Sequence, residues 1–450
     1  MTAEYEHDIA IEKACIMLQK MKAWRLVSSS KSLFFCVLIS PCFPQIAMAQ
    51  KDGITGDEIL RNAVVAPPAS MRIFETRLFG AVAAGKVDYA PAIGRAMQAA
   101  KTAGGGVVRL PKGEIWVALD ASGNAITVPS GIFLDMRGTV LRLIENDRSG
   151  YNIILFKDRN APSGVIGGTI IGDRDSHLGK DGEWGMCIAV RGGANVSIKG
   201  TKASKCWGDG IYLGAALSGD PSTFADNVEI DGVEAAYNRR NNISVVNARG
   251  YRICNVYVHH ANGTLPESGI GIEPDKGGLA SEGLLCNILS EFNGKRGLMT
   301  GGGKDQKIRG LKLQQITSRS NNAAGFWIEG GQDIKATTLS AYNNAEEGAV
   351  FNLTSDAIVN KYEGTGNGQR AKSGQGEISV NDSNRISFGR VSSLAGNRAQ
   401  FKFPVIAVKK SMGVTVSKFV LNSDHVLQNS VFVDSTSDAI LESMTFKKRE

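Results

Sequence analysis

Two acidic residues stand at the mouths of short apolar runs. Glu183-Trp184-Gly185 leads into Met186-Cys187-Ile188, and Cys206-Trp207-Gly208-Asp209-Gly210 leads into Ile211-Tyr212-Leu213. If the two runs are neighbouring strands, the carboxylates lie about one strand spacing apart, roughly 5–6 Å. Carboxylates that close divide acid and nucleophile roles in retaining glycoside cleavage, and their like charges push their pKa values apart. Lyase or epimerase chemistry needs instead a base for a sugar C5 proton and a cation for the uronate carboxylate. Arg240, Arg239, Tyr212 and His177 supply such groups, and the forked guanidinium suits carboxylates. The catalytic candidates are Asp209, Glu183, Arg240 and His177. The competing reading is a structural ion-pair cluster with Arg174, from Gly172-Asp173-Arg174-Asp175-Ser176-His177, and tryptophans packing a chain corner.

A second acidic group is Glu273-Pro274-Asp275, with Glu329 further on. Glu273 and Glu329 fall in one column about 9–10 Å apart on strand geometry, near the upper end of the inverting-glycosidase range. Asp209 and Glu273 come out close to ~19 Å apart on the same reckoning and are excluded as a pair. Residues 273, 275 and 329 offer oxygen ligands that suit calcium, against a simpler reading as solvated carboxylates; no metal ligand is assigned. His259-His260 follow a strand, where neighbours point to opposite faces, which argues against a zinc pair. No phosphate-binding glycine loop or serine-nucleophile elbow is present. Asp173, Arg174, Trp184, Trp207, Tyr212, Glu273, Arg296 and Trp327 complete the site as substrate-binding candidates.

A repeat must position these groups. The segments Gly185-Met-Cys-Ile, Gly210-Ile-Tyr-Leu, Asn242-Ile-Ser-Val, Gly269-Ile-Gly-Ile, Gly297-Leu-Met-Thr, Gly325-Phe-Trp-Ile and Gly348-Ala-Val-Phe start 25, 32, 27, 28, 28 and 23 residues apart. Alternate positions of a strand share a face, so Met186, Ile211, Ile243, Ile270, Leu298, Phe326 and Ala349 form one buried ladder. Ile188, Leu213, Val245, Ile272, Thr300, Ile328 and Phe351 form the other. Cys187, Tyr212, Ser244, Gly271, Met299, Trp327 and Val350 then face outward. A further strand precedes each start, with an asparagine between the two: Asn238, Asn262, Asn293, Asn321 and Asn343. Asparagine tolerates left-handed turns and bonds its own backbone, which suits a stacked corner.

Short strands repeating every 23–32 residues without helices between them predict a solenoid of β-coils. The fold class is all-β, a single-stranded right-handed parallel β-helix over residues 73–450, with a short N-terminal capping helix. Asp88 caps that helix through about Ala103, Ile93, Met97 and Ala100 share its buried face, and Gly104-Gly105-Gly106 stops it. Phe79-Gly80-Ala81, Asp88, Ala92-Ile93, Ala96, Ala99-Ala100, Gly104-Gly105-Gly106-Val107-Val108, Leu110-Pro111 and Gly113 resemble the amino-terminal cap of the pectate-lyase-like β-helix superfamily. That superfamily holds lyases, hydrolases, epimerases and phage tailspikes, so the resemblance implies fold more than chemistry. Its polygalacturonase-type hydrolases start such a strand with Asp-Gly-Ile, as Asp209-Gly210-Ile211 does. Where they carry two aspartates in the next coil and a histidine in the following one, this chain has Arg240-Asn241 and Glu267-Ser268.

Composition agrees with a turn-rich β protein: glycine is 53 of 450 residues, proline only 12, and the glycines have no three-residue period. Lys22, Arg25 and Lys31 precede Leu33–Ile39 and then Ala47-Met48-Ala49, the pattern of a secretory signal cleaved after Ala49, with Met21 an alternative start. The apolar run is shorter than the ~20 residues that span a bilayer. The mature protein is expected to begin with a flexible lead-in, 50–72, and to be periplasmic or secreted. The formal charge of +7 falls to about +6 after residues 1–49, which carry five Lys/Arg and four Asp/Glu, are removed. That charge favours a polyanion, and outside the cytoplasm an acidic polysaccharide rather than nucleic acid. Four cysteines remain, at 187, 206, 254 and 286; buried free thiols are expected, with one disulfide the alternative. The sequence therefore reads as an exported β-helix enzyme depolymerising an acidic polysaccharide, by elimination or hydrolysis. A non-catalytic carbohydrate-binding or surface-assembly β-helix and a uronate C5-epimerase are the alternatives.

Overall fold

The computed structural model describes residues 54–303, 306–370, 376–394, 404–422 and 431–447. The expected signal over 1–49 lies outside them. Among the described residues every strand pairing is parallel, and the strands fall into one 12-stranded and one 21-stranded sheet. Each coil gives one short strand to the 12-stranded sheet, then one long bent strand or two short ones to the larger sheet. Such coils stack in register because the inward side chains repeat. Ile188, Ile211, Ile243, Ile270, Leu298 and Phe326 lie opposite one another in turn, and all are fully buried. Parallel strands covered on the inner face read as apolar columns of this kind.

The expected cap is present. Its helix spans Ala90–Thr102 and buries Ile93, Ala96, Met97 and Ala100 against the first coils. Asp88 Oδ1 accepts from the backbone N–H of Ala90 (3.0 Å) and of Ala118 (2.9 Å), tying helix start to coil. Gly105, at φ +121°, has no room for a side chain: a Cβ there would sit 2.7 Å from the Gly131 carbonyl oxygen.

Inside the corner before the 12-stranded sheet runs an asparagine ladder. Asn293, Asn321, Asn344 and Asn367 are buried, and each side-chain amide donates to the carbonyl oxygen of the next, at 2.9, 3.0 and 2.8 Å. Two members differ from the sequence reading. Asn343 is the left-handed corner residue at φ +53°, and its neighbour Asn344 enters the ladder. Asn262 is exposed, and Asn242 fills its place by bonding to Asn238 and Asn293. Residue type marks the corner, but the side of the turn on which each amide falls depends on which residue takes the left-handed conformation.

A second bend column is left-handed in six successive coils: Gly167, Gly200, Gly232, Asn255, Asn287 and Gln315. Its first glycines have a reason to lack side chains. The stretch 50–72, expected to be flexible, is described from residue 54, where Thr55 forms a capping box with Glu58 at the start of the helix Gly56–Leu60. From there the chain crosses the coils. Ile59 is buried, Ala63 sits where a Cβ on Gly232 would be (2.3 Å), and Val65 does the same over Gly200 (2.4 Å). Val65 and Met71 then pack on Val107, Phe133 and Ile166 before the strand Ile73–Glu75 joins the first coil.

Three expectations about individual residues need correction. The strand Trp184–Arg191 pairs two residues further along than the aligned repeat suggests, with Ile188 opposite Ile211 and Val190 opposite Leu213. Strand alternation also breaks at Cys187-Ile188, which both face the core, so Cys187 is not in the groove. Met186, expected inward, packs on the outer side with Leu155, Ala189 and Tyr212. The four cysteines are not free: Cys187 bonds Cys206 and Cys254 bonds Cys286, with Cα separations of 5.7 and 4.5 Å. Those separations suit disulfides, and coil winding rather than sequence spacing creates them, since Cys254 and Cys286 lie opposite each other in adjacent strands. His259 and His260 do not point to opposite faces. His260 is left-handed (φ +56°), so strand alternation fails there and the two Nδ1 atoms meet at 2.7 Å.

Candidate functional site

The outward face of the 12-stranded sheet brings much of the expected charge together. Tyr212, Ser244, Gly271, Met299 and Trp327 form one outward column over five coils. At the strand entrances, Arg240 lies between two acids: its Nε is 3.7 Å from Glu183 and its Nη1 3.4 Å from Asp209. Asp209 has no exposed surface, and its Oδ1 accepts the Asn241 backbone N–H at 3.0 Å. Burial pushes the Asp209 carboxyl above the usual aspartate range, against the pull of Arg240 and Asn241.

Glu273 belongs to the same cluster, contrary to the ~19 Å reckoning, which treated residues 209–211 as straight strand. The chain turns there, and Asn241 spans the coil between. Its backbone binds Asp209, its Oδ1 accepts from Ser268 N (2.9 Å), and its Nδ2 donates to Ser244 Oγ (3.1 Å). The Glu273 carboxylate leans over Gly271 beside the Asn241 amide. Burial pushes its carboxyl above the usual range; Asp209 adds to this, while Arg240, Asn241 and Arg296 draw it back. Burial also raises the Tyr212 hydroxyl, which keeps that group protonated at neutral pH.

Gly271 is the floor beneath this group. A Cβ on it would come within 2.7 Å of Asn241 Nδ2 and 3.0 Å of Glu273 Oε2. Its backbone is not left-handed, so alanine is tolerated there conformationally and acts as a wedge. Gly271→Ala is expected to lower turnover by at least about tenfold, a 1.4 kcal/mol effect on the barrier, while thermal unfolding shifts by only a few degrees. An unchanged kcat would show that Glu273 is not held where activity requires it.

The remaining candidates divide. Asp173 is buried, taking the Tyr151 hydroxyl (2.5 Å), the Asn146 amide (2.7 Å) and His177 Nδ1 (2.7 Å). The His177 side chain is fully buried and stacks on Trp207 at 4.0 Å, with Arg239 3.8 Å from that indole ring. These groups hold the loop that leads to Glu183. Trp207 donates to Asp181 O and Arg239 to Gly182 O. Arg174 binds the carbonyls of Tyr237 and Asn238 and the Asn262 side chain, which makes it a corner tie away from the outward column. Trp184 is half exposed. Arg296 and Trp327 lie at the far end of the column, the guanidinium 4.4 Å from the ring centre. Arg191 and Asn241 were missed by sequence reasoning. Arg191 stands 4.5 Å from the Tyr212 ring. The register slip hid it, because Arg191 lies opposite Gly214 only in the true pairing.

No family model matches the chain. The Bacillus subtilis protein YclG is 30% identical over 217 residues, 43% of this chain and 37% of YclG. Mannuronan C5-epimerase AlgE1 of Azotobacter vinelandii is 30% identical over 171 residues, 36% of this chain and 12% of that enzyme. The matches thus span little more than a third, or less, of these relatives' own length. Among solved structures, the A-module of mannuronan C-5 epimerase AlgE6 from Azotobacter vinelandii aligns with TM-score 0.63 at 16% identity, over 84% of this chain and all of that module. The family 28 exopolygalacturonase of Yersinia enterocolitica aligns with TM-score 0.52 at 13% identity, over 83% of this chain and 80% of the enzyme. The chain is a right-handed parallel β-helix. The likeness to these solved structures is one of fold. Among the described residues of the β-helix, no helix is long and apolar enough to cross a membrane.

Proposed function

We propose that the protein is an exported enzyme that abstracts the C5 proton of a uronate residue in an acidic polysaccharide and cleaves the chain by β-elimination. The observation that carries this reading is the Glu183–Arg240–Asp209–Asn241–Glu273 cluster on the outward face of the sheet. Arg240 clamps the uronate carboxylate, and Glu183 and Asp209 hold that guanidinium in place. Asp209, without exposed surface, is a positioning residue and not a group that meets the sugar. That burial counts against a retaining hydrolase built on Glu183 and Asp209, which needs both carboxyls at the glycosidic bond.

Glu273 takes the C5 proton. The electrons of the C5–H bond become the C4–C5 double bond, the C4–O4 bond breaks, and O4 takes a proton from the Tyr212 hydroxyl. A base with a carboxyl pushed upward by burial is better matched to neutral operation than an ordinary glutamate. Epimerisation shares the first step and differs in returning the proton to the opposite face. The identity shared with mannuronan C5-epimerase AlgE1 favours it as the second reading.

The test is incubation of the mature chain with polymannuronate, polygalacturonate and a neutral glucan in D2O. Ultraviolet absorbance from unsaturated ends is expected, without deuterium at C5, because C5 of each new end carries no hydrogen. Deuterium with altered epimer content and no new ends selects the second reading. New reducing ends without unsaturation indicate hydrolysis. No deuterium and no new ends on either polyuronate would overturn the proposal and leave a binding protein.

A further inference from the structure

The loop 262–267 borders the cluster at the strand entrances, where Arg240 Nε donates to Leu265 O at 3.4 Å. It opens on Asn262-Gly263. In such a dipeptide the glycine nitrogen can attack the asparagine side chain, because no Cβ stands in the way. The sequence holds three Asn-Gly pairs, and two of them are committed to the fold. Asn293 and Asn367 are buried members of the corner ladder, and the N–H groups of Gly294 and Gly368 donate to the carbonyls of Ala261 (2.7 Å) and Asn344 (3.0 Å). Asn262 is exposed and stands outside the ladder. Its Oδ1 accepts from the Arg174 guanidinium, and the N–H of Gly263 donates to Glu267 Oε1 at 2.7 Å. The Glu267 charge also acts on Arg174, so the three side chains form one cluster. On either side the backbone is tied to the preceding coil, Asn262 N to Asn238 O (3.1 Å) and Thr264 N to Arg239 O (2.8 Å).

A carboxylate on the attacking N–H and a cation on the carbonyl oxygen are the two aids that amide ring closure needs, a base for the nitrogen and a positive charge for the developing oxyanion. We infer that Asn262-Gly263 is a self-modification site, at which Glu267 and Arg174 promote conversion of the asparagine to aspartate and isoaspartate. Glu267 takes the proton of the Gly263 N–H, and the nitrogen bonds to the side-chain carbonyl carbon of Asn262. Arg174 stabilises the charge that gathers on Oδ1. The bond from that carbon to the side-chain nitrogen breaks, and the nitrogen leaves as ammonia with a proton returned through solvent. Water then opens the imide ring. Attack at the side-chain carbonyl leaves aspartate, and attack at the main-chain carbonyl leaves an isoaspartyl linkage. The aspartate product turns the Arg174 contact into an ion pair. The isoaspartyl product adds a carbon to the main chain of the loop whose Leu265 carbonyl meets Arg240.

The test is incubation of the full chain at neutral pH, followed by digestion in mild acid and peptide mass spectrometry. Loss of ammonia with gain of water is read at each Asn-Gly pair, and chromatography separates the aspartyl from the isoaspartyl product. A synthetic peptide covering 256–270, with both ends blocked, is the unfolded reference. Asn262 is expected to convert at least about tenfold faster in the folded chain than in the peptide, a small part of the ~10²–10⁴ that a positioned base supplies. Asn293 and Asn367 should stay unconverted. E267Q still accepts the Gly263 N–H but is no base, and it should slow the folded chain to the rate of the peptide. R174Q should slow it as well. Conversion no faster than in the peptide, conversion at Asn293 or Asn367 that keeps pace with Asn262, or an unchanged rate in either folded variant would overturn the inference. If neither variant folds, the comparison of parent with peptide decides. None of these readings depends on the reaction proposed for the groove.

Discussion

Glu273→Gln is expected to lower C5 proton abstraction, read as the rate at which unsaturated ends appear, by about 10²–10⁴-fold, the usual worth of a positioned general base. Glutamine keeps the shape and can still lie over Gly271 beside Asn241, but it cannot take a proton. Rate and stability should separate in this variant. Burial raises the Glu273 carboxyl, so the fold favours its protonated form. The stability this group contributes is whole below its unfolded pKa and is lost as pH rises through the folded value. Glutamine mimics the protonated carboxyl, so at neutral pH the variant should unfold at the parent's temperature or slightly above it. The same shift sets the pH profile: activity needs the ionised form, so the acid limb should lie above ~4.3, the ordinary glutamate value. Turnover within threefold of the parent, or an acid limb at or below the ordinary value, would remove Glu273 from the base role.

Asn321→Ala should give the largest loss of stability from a single polar side chain. Asn321 accepts from the backbone and side-chain amides of Asn293 (3.1 and 2.9 Å). It donates to Ser290 O, Ser318 Oγ and Asn344 Oδ1. Truncation strands several buried donors and acceptors, each costing ~1–3 kcal/mol when left unmade. A total of roughly 3–5 kcal/mol is expected from urea denaturation. Asn262→Ala is the control: the residue is exposed, shares only a surface bond with Arg174, and should cost at most ~1 kcal/mol. Comparable losses in the two variants would show that the ladder does not carry the corner.

The fold was legible because its signals are local and repeated. A glycine or asparagine before each short strand, two apolar columns and a capping helix need only sequence spacing. The site was legible in part. Glu183, Asp209 and Arg240 were found because they precede strands that align by eye. Glu273 was set apart from Asp209 because strand arithmetic cannot see a chain turning a corner, or an asparagine spanning a coil. Arg191 was hidden by a two-residue slip that keeps the apolar alternation intact, so no pattern argument could detect it. The disulfides were hidden for a related reason: 19 and 32 residues of separation mean nothing until the coil length is known.

Coil stacks of this kind ordinarily fold by nearest-neighbour growth, with each turn waiting only for the one before. The segment 54–72 breaks that rule. It is made before any coil, yet Gly56 rests on Tyr257, Ala63 on Gly232 and Val65 on Gly200, so its seat does not exist until some two hundred later residues have wound. It is among the first parts of the described chain to be synthesised and among the last that can dock. Until then the apolar patch of Val107, Phe133 and Ile166 lies open, and a chaperone or a second nascent chain meets that patch before the protein's own leading segment can cover it.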